Sequence, residues 1–296
     1  MPSLAPRCRR RGAADILLLR AVALGVAATL GIGVPCLQGQ SEDDSEGRSW
    51  RLKGLRTGFC VQLLVDPSSV ASELPREYRP LPASRSPDLH PALQNVIKSQ
   101  PEFGSWSPSR LCLYYFDTVQ VSSTVLRNKN PSKKPLLGLW TVKVAEAASG
   151  KPRELLLDML GNSGRLERFG KRAGVYVHEV ESSFGKVPVV DRDGIPSSDD
   201  QYRLKFRGTE IIWDGRLTAD SSRVQGVLSS EWVTQGAQAG WVSGHLRLSP
   251  GWRHQMVGSL RVEGKNDFAR VLKASPIKFV GPLLQQGNGE LSFRPQ

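Results

Sequence analysis

The chain has 296 residues and a formal net charge of +12. That is material for one large domain or two small ones. The positive balance favours acidic lipids or anionic small molecules as partners. Nucleic acid is not expected, because zinc-finger spacing, an RNP-type aromatic set and a basic-region helix are all missing. The four histidines are too dispersed for a readable metal site, so neither metal nor cofactor is expected.

The N-terminus reads as an export signal over residues 1–40. Arg7, Arg9, Arg10 and Arg11 make a basic head, Ala21–Val34 is an uncharged apolar run of 14 residues, and acidic polar residues follow. The uncharged run extends to Leu37, which keeps an N-terminal membrane anchor as the alternative. The expected protein is therefore exported, periplasmic or extracellular. Residues 41–54 read as a disordered lead-in and 55–296 as a single β-rich domain. The charge from residue 41 onward is +8, and peripheral contact with an anionic membrane surface is a further expectation.

Phe59–Val65 reads as a buried strand, ended by Asp66-Pro67, which caps a short helix. Leu89–Ser99 fits a second short helix with Leu93, Val96 and Ile97 on one face and His90 as its cap. Leu111–Val121 carries the strongest strand pattern, with Asp117 inside it, an odd place for a carboxylate unless it is paired. Asn128–Pro135 reads as a basic turn, Leu136–Val144 as a strand and Glu154–Leu160 as a further apolar segment. Gly161–Gly164 is a turn. Gly174–Val180 alternates like a strand, and Gly185–Gln201 reads as a loop. Its aspartates match no calcium-loop spacing. Further strands are predicted at Tyr202–Phe206, Glu210–Trp213, Gly226–Leu228, Trp241–Leu248 and Met256–Val262. Asp267–Leu272 reads as a brief helix capped by Asn266, and Pro276–Leu284 and Gly289–Phe293 as closing strands. Short strands with glycine turns at this spacing indicate an antiparallel barrel or sandwich.

Cys60 and Cys112 both fall in strand-like runs outside the signal. In an exported chain they read as one disulfide, the alternative being two buried thiols. The stretch Gly164–Gly174 (GRLERFGKRAG) places Lys171 beside Arg172. A lysine next to a cation keeps its proton poorly, which is one recipe for an amine nucleophile. The plainer alternative is a turn with solvated basic residues. No phosphate-binding glycine loop, no GxSxG elbow and no HExxH occurs.

Four stretches in order resemble the acetoacetate decarboxylase-like superfamily. They are LLVDPSSVASELPREYRPLP (63–82), LYYFDTVQV (113–121), GRLERFGKR (164–172) and FARVLKASPIKFVGPLLQQGNGELSF (268–293). The resemblance implies a mainly β, cone-like antiparallel barrel with a few short helices and an interior cavity. It implies Lys171 as a Schiff-base nucleophile, with Arg172 at the position of the family's second lysine and Asp117 at that of its site glutamate. This sequence departs from the pattern at Gly170, where the family has proline, and at Leu64, where it has a substrate-binding arginine. Arg56 or Arg110 would have to serve instead. The expected function is binding of a small anionic or carbonyl-bearing ligand in the cavity, with Schiff-base lyase activity through Lys171. The alternative is a non-enzymatic barrel for an apolar ligand or lipid.

Overall fold

The computed structural model describes residues 48–129, 134–190, 196–237, 240–276 and 278–296. In chain order it forms β1 (Ser49–Val65), α1 (Pro67–Ala71), β2 (Tyr78–Pro80), α2 (Pro91–Ser99), β3 (Ser107–Val121), β4 (Thr124–Arg127), β5 (Leu136–Glu146) and β6 (Pro152–Gly161). Then follow α3 (Gly164–Ala173), β7 (His178–Glu179), β8 (Glu181–Val190), β9 (Pro196–Phe206), β10 (Thr209–Arg223), β11 (Leu228–Gln235), β12 (Trp241–Glu263), α4 (Asp267–Ala274) and β13 (Lys278–Pro295). Seven strands close a ring in the order β11-β6-β5-β3-β1-β13-β12, with β12 returning to β11. The barrel expected from the sequence is present. Its junctions are antiparallel except the contact of β11 with β6, which is parallel.

One hydrophobic cluster takes residues from all seven ring strands, including Trp50, Cys112, Leu139, Leu156, Trp232, Leu246 and Leu291. A cluster fed by every strand of a closed ring is its interior. Leu166, Phe169 and Ala173 of α3 join it, so α3 plugs one end. The opposite face of β1, β3, β5 and β6 packs beneath β9, β10 and α4 through Phe59, Tyr115, Trp140, Tyr202, Trp213 and Leu272. At the other end of the barrel, Leu64 packs with Leu93 and Val96 of α2. Leu64 thus belongs to an apolar seam holding α2 over the mouth.

Two expectations are overturned. Residues 49–54 of the supposed lead-in are strand, with Trp50 and Leu52 fully buried. Their apolar residues alternate with Arg51 and Lys53, and the ladder to β13 uses the backbone whatever the charge of the outward side chains. Residues 41–47 lie outside the described residues. The supposed loop 185–201 is mostly the hairpin β8–β9, paired from Glu181↔Lys205 to Val190↔Pro196. Pairing with the neighbouring β10 overrides the low strand propensity of its Pro, Asp and Gly residues.

The hairpin β9–β10 turns on Arg207 and Gly208, with φ of 51° and 70°. Two consecutive left-handed residues are what a two-residue hairpin demands. Arg207 sits over the rings of Phe206 and Phe268 and donates to Asp158 of β6 at 3.2 Å. His178 Nε2 lies 3.2 Å from the same Asp158 oxygen, and Glu73 reaches Arg207 at 3.4 Å. Asp158 is 1% exposed, and its other oxygen has no partner. Burial pushes its carboxyl up to about 6 and Glu73 adds to the rise, against the pull of Arg207 and His178.

Candidate functional site: a polar ring at the barrel mouth

Inward-facing positions of successive strands place polar side chains at the α2 end of the barrel. Gln62 of β1 is opposite Arg110 of β3, and Arg110 is opposite Thr141 of β5. Two residues further along β5, Lys143 is opposite Glu154 of β6. Arg110 Nη2 contacts Glu154 Oε1 and donates to Ser230 Oγ of β11 at 2.9 Å. Thr141 Oγ1 donates to the same Glu154 oxygen at 2.6 Å, and Lys143 Nζ lies 3.3 Å from Oε2. Both carboxylate oxygens are thus satisfied, as a side chain only 11% exposed requires. Burial alone would raise the Glu154 carboxyl, but Arg110 and Lys143 outweigh it and hold it below the usual range.

Below this ring lies a cavity of about 440 Å³, bounded by Phe59, Tyr114, Leu246, Leu248 and Leu284 and by Gln62, Arg110, Ser230 and Arg253. Above it a second space of about 420 Å³ is bounded by Asp88, His90, Leu93, Thr141, Lys143 and Glu154. Gln62, His90 and Arg110 border both. His90 caps α2 as expected, its Nδ1 accepting from Ala92 N at 3.2 Å. In the neutral ring that tautomer leaves Nε2 as a donor, and burial lowers the imidazolium's pKa. Three cations (Arg110, Lys143, Arg253) face two carboxylates (Asp88, Glu154) around these spaces, an excess that suits an anion.

Cys60 and Cys112 form the expected disulfide, on register partners whose Cα atoms are 4.0 Å apart. It crosses the barrel wall one layer below Arg110, and Cys60 borders the cavity. The Tyr114 hydroxyl lies 3.5 Å from Cys60 Sγ, and the sulfur carries no hydrogen, so the phenol is the donor.

The other expected site residues are elsewhere. Gly164–Ala173 is not a turn but the helix α3, terminated by Gly174 with φ of 79°. Its apolar face enters the barrel, leaving Lys171 62% exposed and 2.8 Å from Glu167. Arg172 is exposed too. The desolvated cavity wall that would make Lys171 a nucleophile is not where Lys171 stands. Asp117 follows Phe116, an interior residue, and so points to the outer face. There it holds Arg56 at 2.8 Å and Lys134 at 2.9 Å. Burial would raise its carboxyl, but the hydrogen bonds from Lys134 and Arg56 keep it low. Arg56 is therefore committed to a structural pair outside the cavity. Of the expected site residues, Arg110 and Cys60 border the cavity, while Lys171, Arg172, Asp117 and Arg56 do not. Glu154 and Lys143 were not expected at the site, and His90 was expected only at the start of its helix. For Glu154 and Lys143 the available signal was a charge at an inward position of a strand.

The course of the chain is similar to that of acetoacetate decarboxylase-like proteins. Superposition on the acetoacetate decarboxylase of Legionella pneumophila gives a TM-score of 0.46 at 10% identity, covering 83% of this chain and 86% of that one. An acetoacetate decarboxylase-like enzyme from Sphingomonas wittichii gives 0.42 at 9%, covering 84% and 91%. The enduracididine biosynthesis enzyme MppR, complexed with the condensation product of pyruvate and imidazole 4-carboxaldehyde, gives 0.45 at 15%, covering 92% and 98%. No family model and no curated protein matches the sequence.

Proposed function

We propose that this protein binds a small amphipathic anion, a carboxylate or phosphate ester with an apolar body, in the barrel mouth. The observation that carries this is the Arg110–Glu154–Lys143 trio, two cations on one buried carboxylate, set above an apolar chamber of about 440 Å³. The anionic end would meet Arg110, Lys143 and the His90 Nε2–H, and the body would lie against Leu246, Leu248 and Leu284. A charge-assisted contact in a partly dry site is worth more than one in water. Export is part of the proposal and is supported by the basic head and apolar run of residues 1–40 and by the disulfide. Among the described residues no helix is long and apolar enough to cross a membrane.

A second reading rests on Lys143. Among the described lysines it, and not Lys171, borders the mouth. Any imine chemistry with a carbonyl ligand would fall to its amine. Calorimetric titration of straight-chain carboxylates of increasing length tests the first reading. Saturable binding that strengthens with chain length and is lost in Arg110→Ala is expected; binding unchanged in that variant, or none, refutes it. Borohydride trapping with a β-keto acid, followed by peptide mapping, tests the second: label on Lys143 supports it, and label spread over surface lysines rejects it.

A further inference from the structure

The end of β10, the connection from β10 to β11 and the adjoining part of β12 combine apolar and cationic residues beside the cavity. Val227, the last residue of the connection from β10 to β11, and Leu228, the first of β11, are 48% and 44% exposed. Leu228 and Val224 of this segment also border the cavity, so its wall continues outward into the exposed patch. The connection is tied to β12 by Val224 N–H donating to Gly251 O at 3.2 Å. On β12, Trp252 is the register partner of Arg223, whose guanidinium lies 5.5 Å from the centre of the indole ring. His254, two residues on and therefore on the same face, stacks on Trp252 at 6.2 Å. Ser221–Ser229 and Pro250–Met256 contain Arg223, Arg253 and His254 but no Asp or Glu, whereas Arg247 is the register partner of Glu290 on β13.

Exposed aliphatic residues, a half-buried indole under Arg223, and Arg253 at the adjoining cavity edge match the three zones of a lipid interface: acyl boundary, headgroup level and anionic surface. A soluble anion would be met by the arginines but would leave Val227 and Leu228 without a role. A protein partner would have to lack basic groups over the whole patch. We propose that the rim formed by Val227, Leu228 and Trp252 with Arg223 and Arg253 docks the barrel mouth onto an anionic phospholipid bilayer. The inference rests on the rim alone and stands whether or not the cavity takes carboxylates.

The test is flotation of the full exported protein with vesicles of phosphatidylcholine alone and of phosphatidylcholine with about one third phosphatidylglycerol. Binding to the anionic vesicles only is expected, weakening at about 0.5 M salt as the headgroup charge is screened. Arg223→Glu should cost at least about fivefold, the value of one surface cation, and Val227→Asp on the order of tenfold through lost apolar insertion. Neither residue borders the cavity, so carboxylate titration and thermal melting of both variants serve as controls for folding. Lys171→Glu makes the same charge change on α3 and should leave vesicle binding intact. Three results overturn the proposal. One is the absence of flotation. Another is an equal loss in Lys171→Glu, which would mean net charge alone. The third is sedimentation showing a dimer that Val227→Asp dissolves, which would make the patch a contact between copies. Loss of carboxylate binding with flotation intact would refute the cavity function and leave the docking surface.

Discussion

Arg110 and Glu154 stand two strands apart in the barrel wall, on β3 and β6, and meet over Thr141 of the intervening β5. The bridge pins three neighbouring strands at the mouth and leaves the outer faces of Arg110 and Lys143 toward the two spaces they border. One pair thus serves both the closure of the barrel and the charge of its opening.

Removing Arg110 should therefore act twice. Arg110→Ala leaves a largely buried carboxylate with only Thr141 and Lys143 as partners, and with Arg110 itself partly exposed the cost should be about 2 kcal/mol, below that of a fully buried pair. Adding Glu154→Gln should recover part of that loss without restoring carboxylate affinity. Urea unfolding and titration of the two single variants and the double variant separate the stability effect from the binding effect.

Lys171→Ala should change stability by less than about 0.5 kcal/mol, the worth of an exposed i,i+4 pair, and should leave ligand affinity untouched. Lys143→Ala should weaken carboxylate binding by about tenfold, the order expected for one charge-assisted contact. Parallel titrations of the two variants check both outcomes, and equal effects would contradict the placement of the mouth.

The buried Asp158 predicts an unusual pH dependence. Its native pKa of about 6 lies above the ordinary 3.8, so the folded state holds the proton more tightly than the unfolded chain. Its contribution is fully present below about pH 4 and is lost as pH rises through about 6. Asp158→Asn should remove that loss. Relative to the parent it should gain up to about 3 kcal/mol between about pH 4 and pH 7, the equivalent of some two pKa units. Urea midpoints of both proteins at those two pH values measure it, and a gain of opposite sign would show that Arg207 and His178 dominate over burial.

Replacing both cysteines by alanine should cost roughly 4 kcal/mol on the chain-entropy model for a closed loop of this length, the separation being 52 residues. Thermal melting of the double variant gives the stability change. Thiol counting on the denatured, unreduced parent should find neither Cys60 nor Cys112 free.

What the sequence determined by itself was whatever is local. The strand pattern of Leu111–Val121, the Asp66-Pro67 cap and the His90 and Asn266 caps depend on a few neighbouring residues, and they emerge in the structure much as written. The pairing of Cys60 with Cys112 was legible because both lie in strong strands and a single bond satisfies both. Only the tertiary structure decided which face of each strand is interior, because a closed ring alone defines an inside. That choice turned Asp117 outward to Arg56 and Lys134, and brought Arg110, Lys143 and Glu154 inward to one another. It also decided that GRLERFGKRAG is an amphipathic plug. Leu166, Phe169 and Ala173 find apolar partners inside the barrel, and burying them leaves Lys171 and Arg172 in water. A charge beside a charge in sequence says little about chemistry until burial decides which of them loses its solvent.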